Sequence, residues 1–257
     1  MKEDPKNAET RSISEKIKDQ ASKNKFGINY DYVSFDKQFD DPWHLVSMSY
    51  SRSTGIGSVI GRLNYANRFS NGAMQLEADA YPRISKTFYS YINVGISDTS
   101  GVFPHYRAGF SLYANLPHSF EAEAGFRYLY FNDATWIYTG SVGKYFKNYW
   151  FNLRTYITPG NSNISHSYSF TTRYYFGGAD DYFAFGFRTG ISPDNKSNNV
   201  QLSSPARIKS NSLSAEYNKS FKGLTILNLT GSWQHQEYLP ATFGNQFSFG
   251  IGIQKRF

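Results

Sequence analysis

Eleven charged side chains recur at alternate positions within segments that are otherwise apolar, small or hydroxyl-bearing. Guanidinium groups donate several N–H groups in a planar fork and bind carboxylate and phosphate oxygens. Because residues two apart in a strand lie on the same face, these side chains are predicted to share one face of a sheet. The basic members are Arg62, Arg107, Arg127, Arg154, Arg173 and Arg188, and the acidic members are Glu77, Asp79, Glu121, Glu123 and Glu216.

Two compatible interpretations of this charged set follow from its composition. In the first, the arginines face a smaller acidic set across a closed interior and pair with it, which keeps charge away from lipid, where an arginine at mid-depth costs about 2–4 kcal/mol. In the second, the surplus arginines line a pore that favours anionic or sugar-like solutes. Tyrosines such as Tyr89 and Tyr91 could stack against such solutes or hydrogen-bond to them.

Histidines are the other residues that could do chemistry. A hydrolase at a barrel rim would combine a serine, a histidine and an orienting polar group, but the sequence contains neither a GxSxG nor an HExxH motif and no cysteine. We therefore predict no metal and no cofactor, and a rim hydrolase acting on lipid or lipopolysaccharide stays an alternative function. In the predicted β-barrel described below, four histidines fall towards the end that carries the longer loops: His44, His105, His166 and His235.

The elements that carry these residues are segments of about 10 to 13 residues with period-two alternation. Strands of soluble β-sandwiches average about five or six residues, whereas tilted strands that cross a bilayer need about 9 to 11. The pattern predicts an all-β fold, an antiparallel transmembrane outer-membrane β-barrel with 14 strands, or 12 if segments 135–145 and 209–220 are loops. The predicted strands are 26–36, 43–53, 57–69, 72–82, 86–97, 104–115, 119–131, 135–145, 148–158, 165–177, 181–192, 209–220, 223–235 and 243–257.

The two faces of each predicted strand differ in polarity. Phe120 and Phe126 alternate with Glu121 and Glu123, for example, so one face suits lipid and the other suits water or a polar lumen. Aromatic residues near segment ends are predicted to form interfacial girdles. These residues are Trp43, Tyr50, Tyr81, Trp136, Tyr149, Tyr174, Tyr182 and Trp233.

Connection length differs between the two sides of the predicted barrel. Even-numbered strands are followed by short turns such as 54–57, and most odd-numbered strands by longer loops, up to 192–210; the tight connections 69–72 and 132–134 are exceptions. Outer-membrane barrels have short periplasmic turns and longer extracellular loops. The sequence therefore predicts the cell outer membrane as the location, with both termini on the periplasmic side.

Overall composition agrees with a barrel and excludes some partners. Only 18% of the 257 residues are charged, another 18% are aromatic, and no window approaches the apolar length of a membrane-spanning helix. The net charge of +7 is too scattered to indicate nucleic-acid binding. Residues 1–25 are predicted to form a polar periplasmic leader, flexible or a short helix, and residues 26–257 the barrel. Because residues 1–23 lack the apolar core of a signal peptide, an export signal is expected to have been removed.

The last predicted strand, FSFGIGIQKRF (247–257), must pair with the first one, because an open sheet edge in lipid would leave backbone groups unsatisfied. Its apolar side chains alternate with small residues. Phe257 is in register with the apolar ones, and it is expected to be an aromatic C-terminal signal read by the outer-membrane barrel insertion machinery.

Several runs resemble the YaiO-type outer-membrane barrel family: DPWHLVSMSYSR (41–52), GSVIGRLNYANRF (57–69), FPHYRAGFSLYANLP (103–117) and TRYYFGGADDY (172–182). The resemblance extends over about residues 26–257 and implies an outer-membrane β-barrel without a firmly assigned activity. The family is distantly similar to the barrel of exopolysaccharide export porins.

The function predicted from these observations is a passive pore or export-associated channel for polar or saccharide material. A structural barrel with a plugged lumen and the rim hydrolase are the alternatives. The expected partners are outer-membrane lipid and lipopolysaccharide, the insertion machinery through Phe257, and a polysaccharide or another envelope component.

Overall fold

The computed structural model describes residues 22–68, 71–98, 102–160, 164–191, 193, 209–221, 224–239 and 241–257. They form fourteen strands and one short 3₁₀ turn, Pro117–Ser119, and no helix in these ranges is long and apolar enough to cross a membrane. The strands are β1 (Asn24–Phe35), β2 (Trp43–Thr54), β3 (Gly57–Arg68), β4 (Asn71–Pro82), β5 (Phe88–Ser97), β6 (Tyr106–Leu116), β7 (Phe120–Tyr130), β8 (Ala134–Phe146), β9 (Tyr149–Pro159), β10 (Ile164–Tyr175), β11 (Tyr182–Thr189), β12 (Ser210–Phe221), β13 (Thr225–Leu239) and β14 (Thr242–Arg256).

Each strand pairs antiparallel with its neighbours in sequence, and β14 pairs with β1, so the sheet closes into a barrel. Closure removes both edges of the sheet, which satisfies the backbone of the first and last strands. The prediction of 14 strands is confirmed, and the 12-strand alternative is wrong, because β8 and β12 are each paired on both sides. β1 begins at Asn24, two residues before the predicted barrel boundary, and residues 1–21 of the predicted leader lie outside the described residues.

The two faces of β14 show how the sequence produces an inside and an outside. Phe249 and Ile253 are exposed on the outer face, whereas Gly250 and Gly252 face inward and are buried. A Cβ at Gly250 would collide with the Asp31 carboxylate, so the small residue leaves room for an inward side chain of β1. The pleat thus separates apolar and small residues by strict alternation.

The same alternation corrects part of the predicted aromatic girdle. Tyr50, Trp136, Tyr149, Tyr174 and Trp233 are exposed on the outer face. The assignment is wrong for Trp43, Tyr81 and Tyr182, which point inward: Trp43 is buried, Tyr81 packs against Tyr91, and Tyr182 donates a hydrogen bond to Glu216. The phase of the alternation, and not the position at a strand end, decides the face of a side chain.

The two ends of the barrel, the terminal end and the far end, differ in what lies at them. At the terminal end, Asn24 and Phe257 exchange two backbone hydrogen bonds of 3.0 Å, and the short turns that follow even-numbered strands lie beside them. The far end carries the connections that follow odd-numbered strands, among them residues 36–42 and 98–105.

At the far end, the seam between β1 and β14 is reinforced by Asp36 and Asn245. The Asn245 backbone N–H and side-chain Nδ2 donate to the two Asp36 carboxylate oxygens, each at 2.6 Å, and Trp233 Nε1 donates to Asn245 Oδ1 at 3.0 Å. The backbone hydrogen bond from Asn245 is the main reason that the pKa of Asp36 lies below its usual value.

Replacing Asp36 by asparagine is therefore expected to destabilise the barrel by about 1 kcal/mol, the typical net value of a hydrogen bond. Because the folded-state pKa is lowered, the carboxylate stabilises the barrel above its unfolded-state pKa of about 3.9, and this stabilisation is lost as the pH falls through the lower folded-state value. Urea unfolding at neutral pH and at about pH 2 measures both effects. An unchanged difference between Asp36→Asn and the parent chain at the two pH values would contradict this assignment.

Candidate functional site

The first cluster of the inner wall surrounds Glu77 on β4. Arg62 on β3 lies directly opposite Glu77 in the strand register, and its Nη1 is 3.3 Å from Glu77 Oε2; Arg62 also pairs with Asp79. Arg107 on β6 reaches Glu77 from the other side, with Nη1 3.2 Å from Oε1. Asn93 Nδ2 donates to both carboxylates, at 3.0 Å to Glu77 and 2.6 Å to Asp79. Two guanidinium groups and two carboxylates thus neutralise one another on one wall.

The second cluster surrounds Glu123 on β7, whose side chain is fully buried. Arg154 Nη2 donates to Glu123 Oε2 at 2.6 Å, and Arg127 Nη2 lies 3.7 Å from Oε1. The hydroxyls of Ser111 and Ser141 donate to the two oxygens of the same carboxylate, at 2.7 and 2.9 Å. The Glu123 carboxylate is therefore held by two cations and two hydroxyls.

Small inward residues allow these side chains to meet. Neighbouring strands lie about 4.8 Å apart, so an arginine must cross an intervening strand to reach a carboxylate two strands away. Gly95 on β5 stands between Glu77 and Arg107 in the register, and a Cβ there would come within 2.7 Å of Arg107 Cγ. Ser141 occupies the corresponding position between Glu123 and Arg154. Across three neighbouring strands, a small residue thus stands between two charged residues. The alternation within a single strand does not reveal this order.

The remaining predicted residues also lie on the inner face. Glu121 accepts a hydrogen bond of 2.7 Å from the Tyr89 hydroxyl. Glu216 accepts one of 2.7 Å from Tyr182, and the Arg173 guanidinium lies 4.1 Å from the centroid of the Tyr182 ring. Arg188 lines a cavity of about 290 Å³ together with Arg173 and Glu216.

All eleven predicted residues thus point into the lumen, but the predicted arrangement of the charges is wrong in one respect. The arginines on β3, β6, β7 and β9 pair with carboxylates on the same wall and do not face them across the lumen, because the antiparallel register brings them to adjacent or next-adjacent strands. The structure also adds Asp31 to the inward acidic residues and Arg68 to the inward basic ones.

The opposite wall, on β10–β14, is lined by small and hydroxyl side chains. Together with Arg173, Arg188 and Glu216 they enclose the cavity of about 290 Å³. A second cavity, of about 480 Å³, extends from this wall to Asp31 and Asn64. The hydroxyl residues of the first cavity are Ser169, Thr171, Ser212, Ser214, Thr230, Ser232 and Ser248.

Tyrosines lead from the terminal end towards the charged wall. Tyr81 and Tyr89 line a cavity of about 770 Å³ at that end, beside serine, threonine and asparagine side chains. Tyr81 also lines the next cavity, of about 470 Å³, with Tyr91 and Tyr113. The rings of Tyr89 and Tyr113 are stacked at 4.6 Å, which places flat aromatic faces and hydroxyls along one side of the lumen.

A segment from the β5–β6 connection, residues 102–104, enters the far end of the lumen and is called the plug segment below. Val102 and Phe103 are buried against inward apolar residues of β1–β4, among them Trp43. Arg68 donates from Nη1 to the Val102 carbonyl at 3.3 Å, and its guanidinium lies 4.9 Å from the Trp43 ring. Phe103 also borders the cavity that contains Arg188 and Glu216. The strand pattern did not identify this segment, because loops carry no alternation.

In the part of the chain that the structure describes, no histidine side chain is hydrogen-bonded to a serine. His44 Nδ1 is 2.7 Å from the Tyr30 hydroxyl, and His235 Nδ1 is 3.0 Å from Asn245 Oδ1. His166 is exposed and stacks on Tyr168, and His105 packs near Tyr106. Within the described ranges no three histidine, cysteine, aspartate or glutamate side chains are arranged to hold a metal ion.

Comparison with known proteins gives a family and a set of similar folds. The family model of the YaiO membrane beta barrel domain matches residues 23–195. No curated protein matches the chain significantly.

Three solved structures illustrate the likeness of fold. The CymD monoaromatic hydrocarbon channel is 8% identical with a TM-score of 0.59, and the alignment covers 98% of this chain and 93% of that one. A bacterial polysaccharide outer membrane secretin is 8% identical with a TM-score of 0.58, covering 92% and 99%. Omp33 of Acinetobacter baumannii is 10% identical with a TM-score of 0.55, covering 92% and 98%. At these identities the likeness shows a shared outer-membrane barrel fold.

Proposed function

The chain belongs to the YaiO membrane β-barrel family, and from this premise we propose that this outer-membrane barrel is a passive or export-associated channel for polar solutes, with saccharides as the solute class. The observation that carries the proposal is the polar space beside the hydroxyl wall. Cavities of about 480 and 290 Å³ lie there, and they share Arg188, Glu216, Thr230, Ser232 and Ser248. Hydroxyl groups can replace the hydration of a polar solute without holding it strongly.

Saccharides are the favoured solute class because of the tyrosines. The apolar faces of sugar rings pack against aromatic rings, and their hydroxyls form hydrogen bonds with phenol, serine and amide groups. Tyr81 and Tyr89 line the cavity at the terminal end with Ser58 and Asn115, and Tyr91 and Tyr113 continue this lining inward. The polysaccharide named for one structurally similar protein agrees with this class.

The proposed orientation places the terminal end at the periplasm. The longest connections, those between β1 and β2, β5 and β6, and β11 and β12, lie at the other end, although the connections β3–β4, β7–β8 and β13–β14 there are as short as the turns at the terminal end. Outer-membrane barrels usually carry their longer loops on the extracellular side. Phe257 is 58% exposed at the end of β14, where the insertion machinery could bind it.

Conductance of the full chain in planar bilayers tests the proposal. We expect an ion current in potassium chloride that added oligosaccharide reduces in a concentration-dependent manner. Arg188→Gln should shift ion selectivity away from anions, because it removes a cation from the lumen. Arg52→Gln is the matched control, because it removes the same charge from a side chain that is exposed on the outer face. Absence of any current from the intact protein would refute the channel.

A structural barrel with a closed lumen is the second candidate function. The plug segment favours it, because Val102 and Phe103 are both almost fully buried, at 2% and 1% exposure, within the far end. The two functions differ in a measurable way, since a closed barrel conducts only when this segment is displaced.

A further inference from the structure

Lysine and arginine side chains are distributed unequally over the outer face of the barrel. Four outward strand positions among the described residues carry them, and all four lie at the terminal end: Arg52 on β2, Lys144 on β8, Lys219 on β12 and Lys255 on β14. At the far end, the outward strand positions hold aromatic, histidine, amide and aliphatic side chains, such as Tyr106, His166 and Ile164, and the carboxylate of Glu237. Among the outward strand positions that the structure describes, lysine and arginine therefore lie at the terminal end alone, and they form a basic rim there.

One part of this rim, together with Lys147 of the turn after β8, forms a patch of Phe120, Lys144, Phe146 and Lys147, called the Lys144 patch. Lys144 Nζ lies 3.9 Å from the centroid of the Phe120 ring, and Lys147 Nζ lies 5.5 Å from that of Phe146. Both rings are outward and exposed, at 41% for Phe120 and 57% for Phe146. Two ammonium groups thus stand above two phenyl rings at the border of the apolar band.

The two lysines of the patch differ from Lys219 in their electrostatic surroundings. Lys219 also lies over a phenylalanine, Phe176, but its Nζ is 3.6 Å from Asp181. Within the described part of the chain neither Lys144 nor Lys147 forms an ion pair with a carboxylate; Lys144 donates to the His118 carbonyl. The positive charge of the patch is therefore available to an external anion.

The position of the patch identifies the kind of anion. The phenyl rings continue the apolar outer face that contacts hydrocarbon, so the ammonium groups lie at the depth of the lipid headgroups. A lipid phosphate at this depth would meet two cations, while its acyl chains would cover Phe120 and Phe146. A water-soluble anion would leave these rings uncovered.

We infer that the Lys144 patch is a binding site for the phosphate of anionic glycerophospholipids, with phosphatidylglycerol as the representative ligand. The choice of glycerophospholipid over lipopolysaccharide rests on the proposed orientation, in which the terminal end faces the inner leaflet. The site itself does not depend on whether the lumen conducts, so bilayer currents and lipid binding test separate claims.

The test is native mass spectrometry of the full chain released from mixed micelles that contain equal amounts of phosphatidylglycerol and phosphatidylcholine. We expect the parent chain to retain more phosphatidylglycerol. Because a basic residue near a membrane surface contributes about 1 kcal/mol, the ratio of the two bound lipids should fall about fivefold in Lys144→Gln and by up to about thirtyfold in Lys144→Gln/Lys147→Gln.

Two controls and one competing lipid make the result decisive. Lys37→Gln removes a charge from the far end and should leave the ratio of bound phosphatidylglycerol to phosphatidylcholine unchanged. The heat-dependent shift in gel migration checks that each variant retains the barrel. A third arm replaces phosphatidylglycerol by lipid A. An unchanged ratio in the double variant overturns the inference, and so does a preference for lipid A that depends on Lys144 and Lys147.

Discussion

Replacing Glu123 by alanine is expected to lower the free energy of unfolding by about 3–5 kcal/mol, the range found when one partner of a buried ion pair is removed. Glu123 accepts hydrogen bonds from Ser111 and Ser141 and pairs with Arg127 and Arg154, and its side chain is not accessible to solvent. Its loss leaves two guanidinium groups without their shared carboxylate. Urea unfolding of the barrel in lipid vesicles, followed by tryptophan fluorescence, measures the difference.

Glu121→Ala is the matched control for this prediction. Glu121 is two residues away on the same inner face, and its carboxylate accepts a hydrogen bond from the Tyr89 hydroxyl. Its replacement should cost about 1 kcal/mol. Glu123→Gln separates charge from shape, because the amide keeps the side-chain volume but cannot neutralise either arginine. Equal stability of the Glu121 and Glu123 variants would mean that lumen water solvates the arginines and that the cluster contributes little.

Replacing Phe103 by alanine is expected to raise single-channel conductance several-fold. Phe103 belongs to the plug segment and stands between the apolar far end of β1–β4 and the cavity that holds Arg188 and Glu216. Apolar constrictions block ions by excluding water, so removal of the ring should allow water to enter the far end. The measurement is conductance in planar bilayers, compared with the parent chain.

Two further variants test the assignment of Phe103. Phe249→Ala makes the same chemical change on the outer face, where Phe249 is 64% exposed, and should leave conductance unchanged. Arg68→Ala removes the hydrogen bond to the Val102 carbonyl and should increase current fluctuations, because the plug segment loses an anchor. Conductance that is unaltered in both Phe103→Ala and Arg68→Ala would show that the far end is not the constriction.

These two experiments also distinguish the proposed functions. A channel predicts current in the parent chain and a larger current after Phe103→Ala. A structural barrel predicts no current in the parent chain, whatever the variant does. The Glu123 variant tests the role of the charged wall. If the ion pairs of Glu123 stabilise the barrel, the charged side chains are bound to one another, and the hydroxyl wall is the surface that solutes contact.

Much of the fold follows from local sequence. Period-two alternation over about 10 to 13 residues predicted all fourteen strands, and the observed bounds differ from the predicted ones by four residues or fewer. The same alternation placed Arg62, Arg154 and Glu216 on the inner face, because the pleat ties the direction of a side chain to its position. Strand length and polarity are local properties, and local sequence therefore determines them.

The sequence by itself determined the barrel, its closure by the last strand, and the side of the wall on which most residues lie. Tertiary structure alone decided which charges meet, because Arg107 reaches Glu77 only through the register of three strands and the space above Gly95. It also decided that Phe103 enters the lumen, since the position of a loop depends on the wall that it packs against. Alternation is a property of neighbouring residues, whereas register and loop packing depend on contacts between residues far apart in the chain.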